Sequence, residues 1–175
     1  VSASRMVSGD TPLHRELEQE IADTIGVEGA LVFVSGHAAN VSTIGTIMTA
    51  EDLIIHDEFV HNSAVVGMRL SGAKTMTFRH NKLDLLEQLL REERAKYKNC
   101  LVVLEGLYST VGGIPDLARV VELKERYGAW LMVDDAHGCG VLGKTGAGLS
   151  EHTGVPGDKV DIWMGTLSKA YASCG

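Results

Sequence analysis

Apolar and polar positions along this chain alternate between two periods, one helical and one extended. From Asp10 to Gly26, Leu13, Leu17 and Ile21 recur on one face of a helix. Thr11 is placed to cap that helix, Pro12 sits in its first turn, and Gly26 suits a left-handed exit. ALVFVSG, at 30–36, is continuously apolar and ends in Ser-Gly, which predicts a buried parallel strand. A helix of small residues, HAANVSTIGTIMT, follows it. DLIIHDE (52–58) and KTMTF (74–78) read as short strands flanking a helix over 61–72. Asn81 opens another helix, with Leu83, Leu86 and Leu90 as its stripe. CLVVLEG (100–106), AWLMVDD (129–135) and VDIWMG (160–165) are further apolar strands. Between the first two lies a helix over 114–128, and before the last a long glycine-rich connection.

Strands alternating with helices predict βαβ units. The expected fold is α/β, a mostly parallel sheet with helices on both faces. No linker divides the chain, so one domain is expected. In such sheets ligands sit outside the carboxyl ends of the strands. Ser35 to His37, Asp57 to His61, Tyr108-Ser109, Asp134 to His137 and Thr166 to Lys169 all fall at or just past predicted strand ends. Hydroxyls, carboxylates, imidazoles and a lysine at so many strand ends predict one shared crevice.

Composition narrows the class. Of 175 residues, 45% are hydrophobic, which suffices for a core. No run of about 18 apolar residues exists, so no membrane span is expected. The opening VSASRMVSGD lacks the apolar centre of a signal peptide. With 23 acidic against 16 basic residues and no Lys/Arg run, the chain offers no nucleic-acid patch. Cys100, Cys139 and Cys174 form neither a CxxC pair nor an even set, which argues for reduced thiols and a cytoplasmic protein. Seven histidines show no HExxH or equivalent spacing, so no metal is expected. Both ends break off inside motif-like sequence, and the protein is expected to continue on each side.

The sharpest chemical signal is GTLSKA at 165–170. A lysine in apolar surroundings is costly while charged, and a desolvated amine forms Schiff bases readily. Lys169 is either a surface lysine or an amine of that kind. Gly165 allows close backbone approach, and the Thr166 and Ser168 hydroxyls can hold an anion. An aldehyde cofactor with a phosphate, pyridoxal phosphate (PLP), is the natural companion of such a site. PLP needs an acid at its pyridine nitrogen, phosphate donors and a group on its ring face. VDDAHG (133–138) offers Asp134 for the nitrogen and His137 for the phenolic oxygen, although an aspartate there also caps turns. SGHAAN (35–40) offers a helix start for the phosphate, though any strand-to-helix turn looks alike. His61 can lie on the ring and Ser109 can donate to it; both also suit an ordinary loop.

Together, SGHAAN, VHNS, LYS, VDDAHG and GTLSKA, in that order, resemble the α-oxoamine synthase family of fold-type-I PLP enzymes, and SRMVSGDTPLHRELE is similar to the family's opening segment. The resemblance covers nearly the whole chain. It implies that residues 1–175 form most of an aspartate aminotransferase-like large PLP-binding domain, with the family's N-terminal segment and C-terminal small domain outside it. It further implies that Lys169 carries the cofactor, Asp134 pairs with the pyridine nitrogen, His137 and Ser109 contact the phenolic oxygen side, and His61 stacks on the ring. Gly36 and His37 approach the phosphate through the backbone, and Thr166 binds it by its hydroxyl. The chain departs from the family pattern at His37, where an aromatic residue is frequent, at TVGG after Ser109, and at Cys139, where threonine or serine is frequent.

The implied activity condenses an amino acid with an acyl thioester, from coenzyme A or an acyl carrier protein, with loss of carbon dioxide to give an α-amino ketone. Lys169 would be the base for the α-proton, with Asp134, His61 and His137 as its catalytic companions. The implied assembly is a homodimer. An aminotransferase, aldolase or lyase of the same fold type uses the same aspartate and lysine; a non-catalytic partner subunit is another alternative, and a plain nucleotide-binding α/β domain, which no phosphate-loop fingerprint supports, is the last.

Overall fold

The structure, a computed structural model, describes residues 4–175; positions 1–3 of the turn-like opening lie outside the described residues. Five parallel strands form one sheet in the order β2-β1-β3-β4-β5. They are β1 (Leu53–Asp57), β2 (Lys74–Phe78), β3 (Cys100–Glu105), β4 (Trp130–Asp134) and β5 (Ile162–Met164). The helices are α1 (Arg5–Ser8), α2 (Pro12–Ile25), α3 (Gly36–Ile47), α4 (Asn62–Ser71), α5 (Leu83–Glu93), α6 (Leu117–Tyr127) and α7 (Leu149–Thr153). The connection from β2 passes over β1 to reach β3, so the order reverses between β1 and β3. That reversal is where sheets of this kind open a crevice.

Both faces of the central strands are covered, which is why β3 and β4 read as apolar runs, whereas the edge strand β2 is largely exposed. Alternate residues go to opposite faces. Leu53, Ile55, Val102, Leu104, Leu131 and Val133 pack with the stripes of α5 and α6. Ile54, Leu101, Val103 and Met132 pack with Ile44 of α3 and Ala64 and Met68 of α4. Thr11 caps α2 as its sequence predicts; the ring of His14 returns the bond to the Thr11 N–H. Asn81 does not begin α5. It sits in a turn at φ 55°, its N–H held by Asp57, and the helix starts at Leu83.

Two further predictions need correction. Segment 30–36 is not a strand of the sheet. The Val32 N–H donates to Glu18 at 2.9 Å, and its carbonyl accepts from Arg5, so side chains take the groups a neighbouring strand would use. Leu31 and Val34 remain 73% and 89% exposed. An apolar cavity of about 760 Å³, lined by Phe33, Ile162, Trp163 and Met164 among others, lies beside the segment and β5. Second, the opening and the glycine-rich connection are not wholly irregular: each holds a short helix, α1 and α7.

Candidate active site

Two aspartates, Asp134 at the end of β4 and Asp135 just past it, face different surroundings. Asp134 is 5% exposed; its Oδ1 accepts from the Ala136 N–H at 3.1 Å and its Oδ2 from Asn40 Nδ2 at 2.7 Å. The turn-capping and ligand-facing readings of Asp134 are thus compatible: one oxygen caps, the other is held by Asn40. The carboxylate of Asp135 turns into the glycine-rich connection and accepts from the Leu149 N–H at 2.7 Å. A Cβ on Gly106, Gly138 or Gly148 would overlap that carboxylate, which accounts for part of the glycine content there. Burial raises the Asp135 carboxyl to about 6.

Asp134 lines a cavity of about 220 Å³ together with Ser35, Gly36, His37, His61, His137, Thr166, Ser168 and Lys169. Every candidate cofactor residue lies there except Ser109; of the other strand-end residues assigned to the crevice, Asp57 and Tyr108 do not line it, Asp57 accepting from the Phe59 and Asn81 N–H groups and Tyr108 packing on His80. Ser109 is exposed in the turn after β3, and its N–H reaches the Glu105 carboxylate at 3.4 Å. A hydroxyl in a turn carries no sequence mark of which way the turn folds, so the pattern could not settle its position.

One end of the cavity is formed by the start of α3 and by Thr166. Ser35 caps α3, its Oγ accepting from the Ala38 N–H at 3.1 Å. The N–H groups of Gly36 and His37, in the first turn, have no carbonyl one turn earlier in the helix. A Cβ on Gly36 would come within 3.3 Å of the Thr166 side chain, so glycine lets the helix start and the Thr166 hydroxyl share one end of the cavity. Thr166 is 7% exposed, 2.9 Å from the Ser168 hydroxyl, and donates to the Gly175 carbonyl.

Lys169 is exposed at the cavity's edge. Among the described residues it has the surface position, one of the two readings its sequence allows: β5 ends at Met164, and Lys169 follows the buried Thr166. Half-buried His137 is pushed down, by burial first and then by the positive charge of Lys169, which favours its neutral form. Glu105, paired across the sheet with Asp134, is raised to about 7, by burial first and then by the Asp134 charge.

The sequence did not single out Asn40, Ser63 or Glu105. Asn40 had a signal, as the one long polar side chain in the middle of a helix of small residues that packs on a sheet. Glu105 had a weaker one, closing an apolar strand.

The chain matches the aminotransferase class I and II family over residues 2–175. It is 48% identical over 173 residues to an 8-amino-7-oxononanoate synthase of Geotalea daltonii, covering 99% of this chain and 44% of that protein. Among solved structures, a serine palmitoyltransferase of Sphingomonas wittichii superposes with a TM-score of 0.92 at 37% identity, over 99% of this chain and 43% of that one. A serine palmitoyltransferase from S. paucimobilis, solved with a bound PLP–myriocin aldimine, superposes at 0.91 and 35% identity, over 99% and 43%. The chain thus spans less than half the length of these relatives.

Proposed function

This chain belongs to the aminotransferase class I and II family, and from that premise we propose that the protein containing it is a PLP-dependent C-acyltransferase of the α-oxoamine synthase type. Its substrates are an amino acid and an acyl thioester, carried on coenzyme A or an acyl carrier protein. Its products are an α-amino ketone, carbon dioxide and the free thiol. On this reading residues 1–175 are the cofactor-binding large domain, the protein acts as a homodimer, and it works in the cytoplasm. The unpaired Cys100, Cys139 and Cys174 suit that reducing compartment.

One observation carries the reading: Lys169 and Asp134 line a single cavity whose other wall is the start of α3 with Thr166. The donor set fits PLP. The α3 N–H groups of Gly36 and His37, with Thr166, suit the phosphate. Asp134 suits a protonated ring nitrogen. His61 suits the ring face and His137 the phenolic oxygen. Ser109 is retained only for a ring substituent reached from the turn after β3. PLP, when bound, supplies an aldehyde that takes up an amine and a ring that withdraws electrons from the amino acid's α-carbon.

The chain's own residues supply the rest. Lys169 Nζ would anchor the cofactor until an incoming amino group takes its place. Once released, Nζ is the base at the α-proton. The Asp134 carboxylate keeps the ring nitrogen protonated and so sustains the electron withdrawal. His137, held in its neutral form, and His61 are hydrogen-bonding groups for the thioester carbonyl.

The test is a matrix of amino acids against acyl-CoA and acyl-carrier thioesters with the whole protein, read by mass spectrometry. An α-amino ketone with released carbon dioxide is expected. Transfer of the amino group to an α-keto acid would instead make the protein an aminotransferase, in keeping with its family's name. Cleavage of the amino acid alone would make it an aldolase or lyase, and no turnover with any pair would make it a non-catalytic partner subunit.

A further inference from the structure

A continuous network, buried at Asp134, Asn40 and Ser63, runs from Asp134 to the exposed His61 through two residues that carry no chemistry themselves. Asn40, on α3, is fully buried, and Ser63, in the first turn of α4, is 1% exposed. Asn40 Nδ2 donates to Asp134 Oδ2 at 2.7 Å and to Ser63 Oγ at 2.9 Å. A nitrogen with two hydrogens satisfies both acceptors. Asn40 Oδ1 is buried with no partner among the described residues. Flipping the amide would set that oxygen against the Asp134 carboxylate, so the charge of Asp134 fixes the amide's orientation despite the unpartnered atom.

The direction of the remaining bonds follows. Ser63 Oγ accepts from Asn40, which leaves its own hydrogen to donate. Nδ1 of His61 is 2.7 Å away, and the Ser63 backbone N–H reaches the same Nδ1 at 3.2 Å. Two donors meeting at one ring nitrogen require a lone pair there. The imidazole proton therefore sits on Nε2.

We infer that Asn40 and Ser63 are positioning residues that couple the two groups flanking the cofactor ring, Asn40 aiming the Asp134 carboxylate and Ser63 fixing the tautomer of His61. This rests on the PLP reading above for its consequence. With Nδ1 occupied, His61 offers Nε2–H as its free donor, which suits a carbonyl oxygen and not a proton to be abstracted. Helices α3 and α4 therefore set the hydrogen-bonding sense of one side of the site.

Two measurements on the whole protein test this. With 15N-labelled histidine and no cofactor, long-range 1H–15N spectra report which ring nitrogen carries the proton; a His61→Gln variant identifies the signal. The wild type is expected to show His61 with a bare Nδ1, and Ser63→Ala to move that signal towards a mixture of tautomers. A protonated Nδ1 in the wild type, or no change in Ser63→Ala, overturns the Ser63 role. In a PLP titration followed by the cofactor's absorbance, Asn40→Leu is expected to weaken binding about 10- to 100-fold, the loss of one hydrogen bond to a charged group. Unchanged affinity overturns the Asn40 role. Should Asn40→Leu fail to fold, Asn40→Ser takes its place, with weakened binding again expected. If the wild type takes up no PLP, the functional reading fails, and the cofactor-free histidine spectrum still decides the tautomer.

Discussion

Position 169 shows how much a residue's chemistry depends on what surrounds it. Lys169 lines the edge of a cavity shared with Asp134, His61 and His137, and the role given to it rests on that company. Lys169→Ala in the whole protein is expected to lower turnover by at least about 10²- to 10⁴-fold, the range for loss of an acid–base group; an assay of carbon dioxide release measures it, and retained turnover would remove Lys169 from the mechanism. Glu105 shows the opposite case, a carboxyl enclosed by the fold and raised to about 7. The folded chain holds that proton more tightly than the unfolded chain does. Its contribution to stability is present in full below about pH 4.5 and is lost as pH rises through about 7. Glu105→Gln is therefore expected to match the wild type near pH 4 and to exceed it by up to about 3 kcal/mol at pH 8. Urea unfolding at the two pH values measures this, and an offset of equal size at both would contradict it.

At the scale of elements, the helix pair α3 and α4 is the part on which the site depends most. Gly67 of α4 lies against α3 so closely that a Cβ would come 2.9 Å from the Asn40 carbonyl and 3.0 Å from Ile44. Gly67→Val is expected to cost about 1–3 kcal/mol through overpacking and to weaken PLP binding by shifting Asn40. Denaturant midpoints and a cofactor titration read the two effects, and a variant with both unchanged would show that the helices tolerate separation. Most elements were legible in the sequence because β1, β3 and β4 are buried on two faces and helices such as α5 and α6 carry one apolar stripe. Segment 30–36 was misread because its apolar run says nothing about where its backbone bonds go; Arg5 and Glu18, far away in sequence, decide that. The candidate site was legible for a related reason. Residues at strand ends are forced to one edge of a parallel sheet, whereas Ser109 depends on the fold of its turn, and Asn40 and Ser63 on a helix-to-helix contact.

For the whole molecule, the site belongs to no single segment. It draws on α3, the loop after β1, the end of β4 and the turn after β5, spread from Ser35 to Lys169 and gathered by the strand order. The 175 residues span less than half the length of their relatives, so the activity belongs to the whole protein and the cavity is this chain's share of it. The claim on which the account turns is that the amine at 169 is the cofactor's anchor. Borohydride reduction of the whole protein loaded with PLP, followed by peptide mass spectrometry, tests it directly. The account predicts a stable pyridoxyl group on Lys169 and on no other lysine. A label on a different lysine, or none in a protein that has taken up the cofactor, would contradict it.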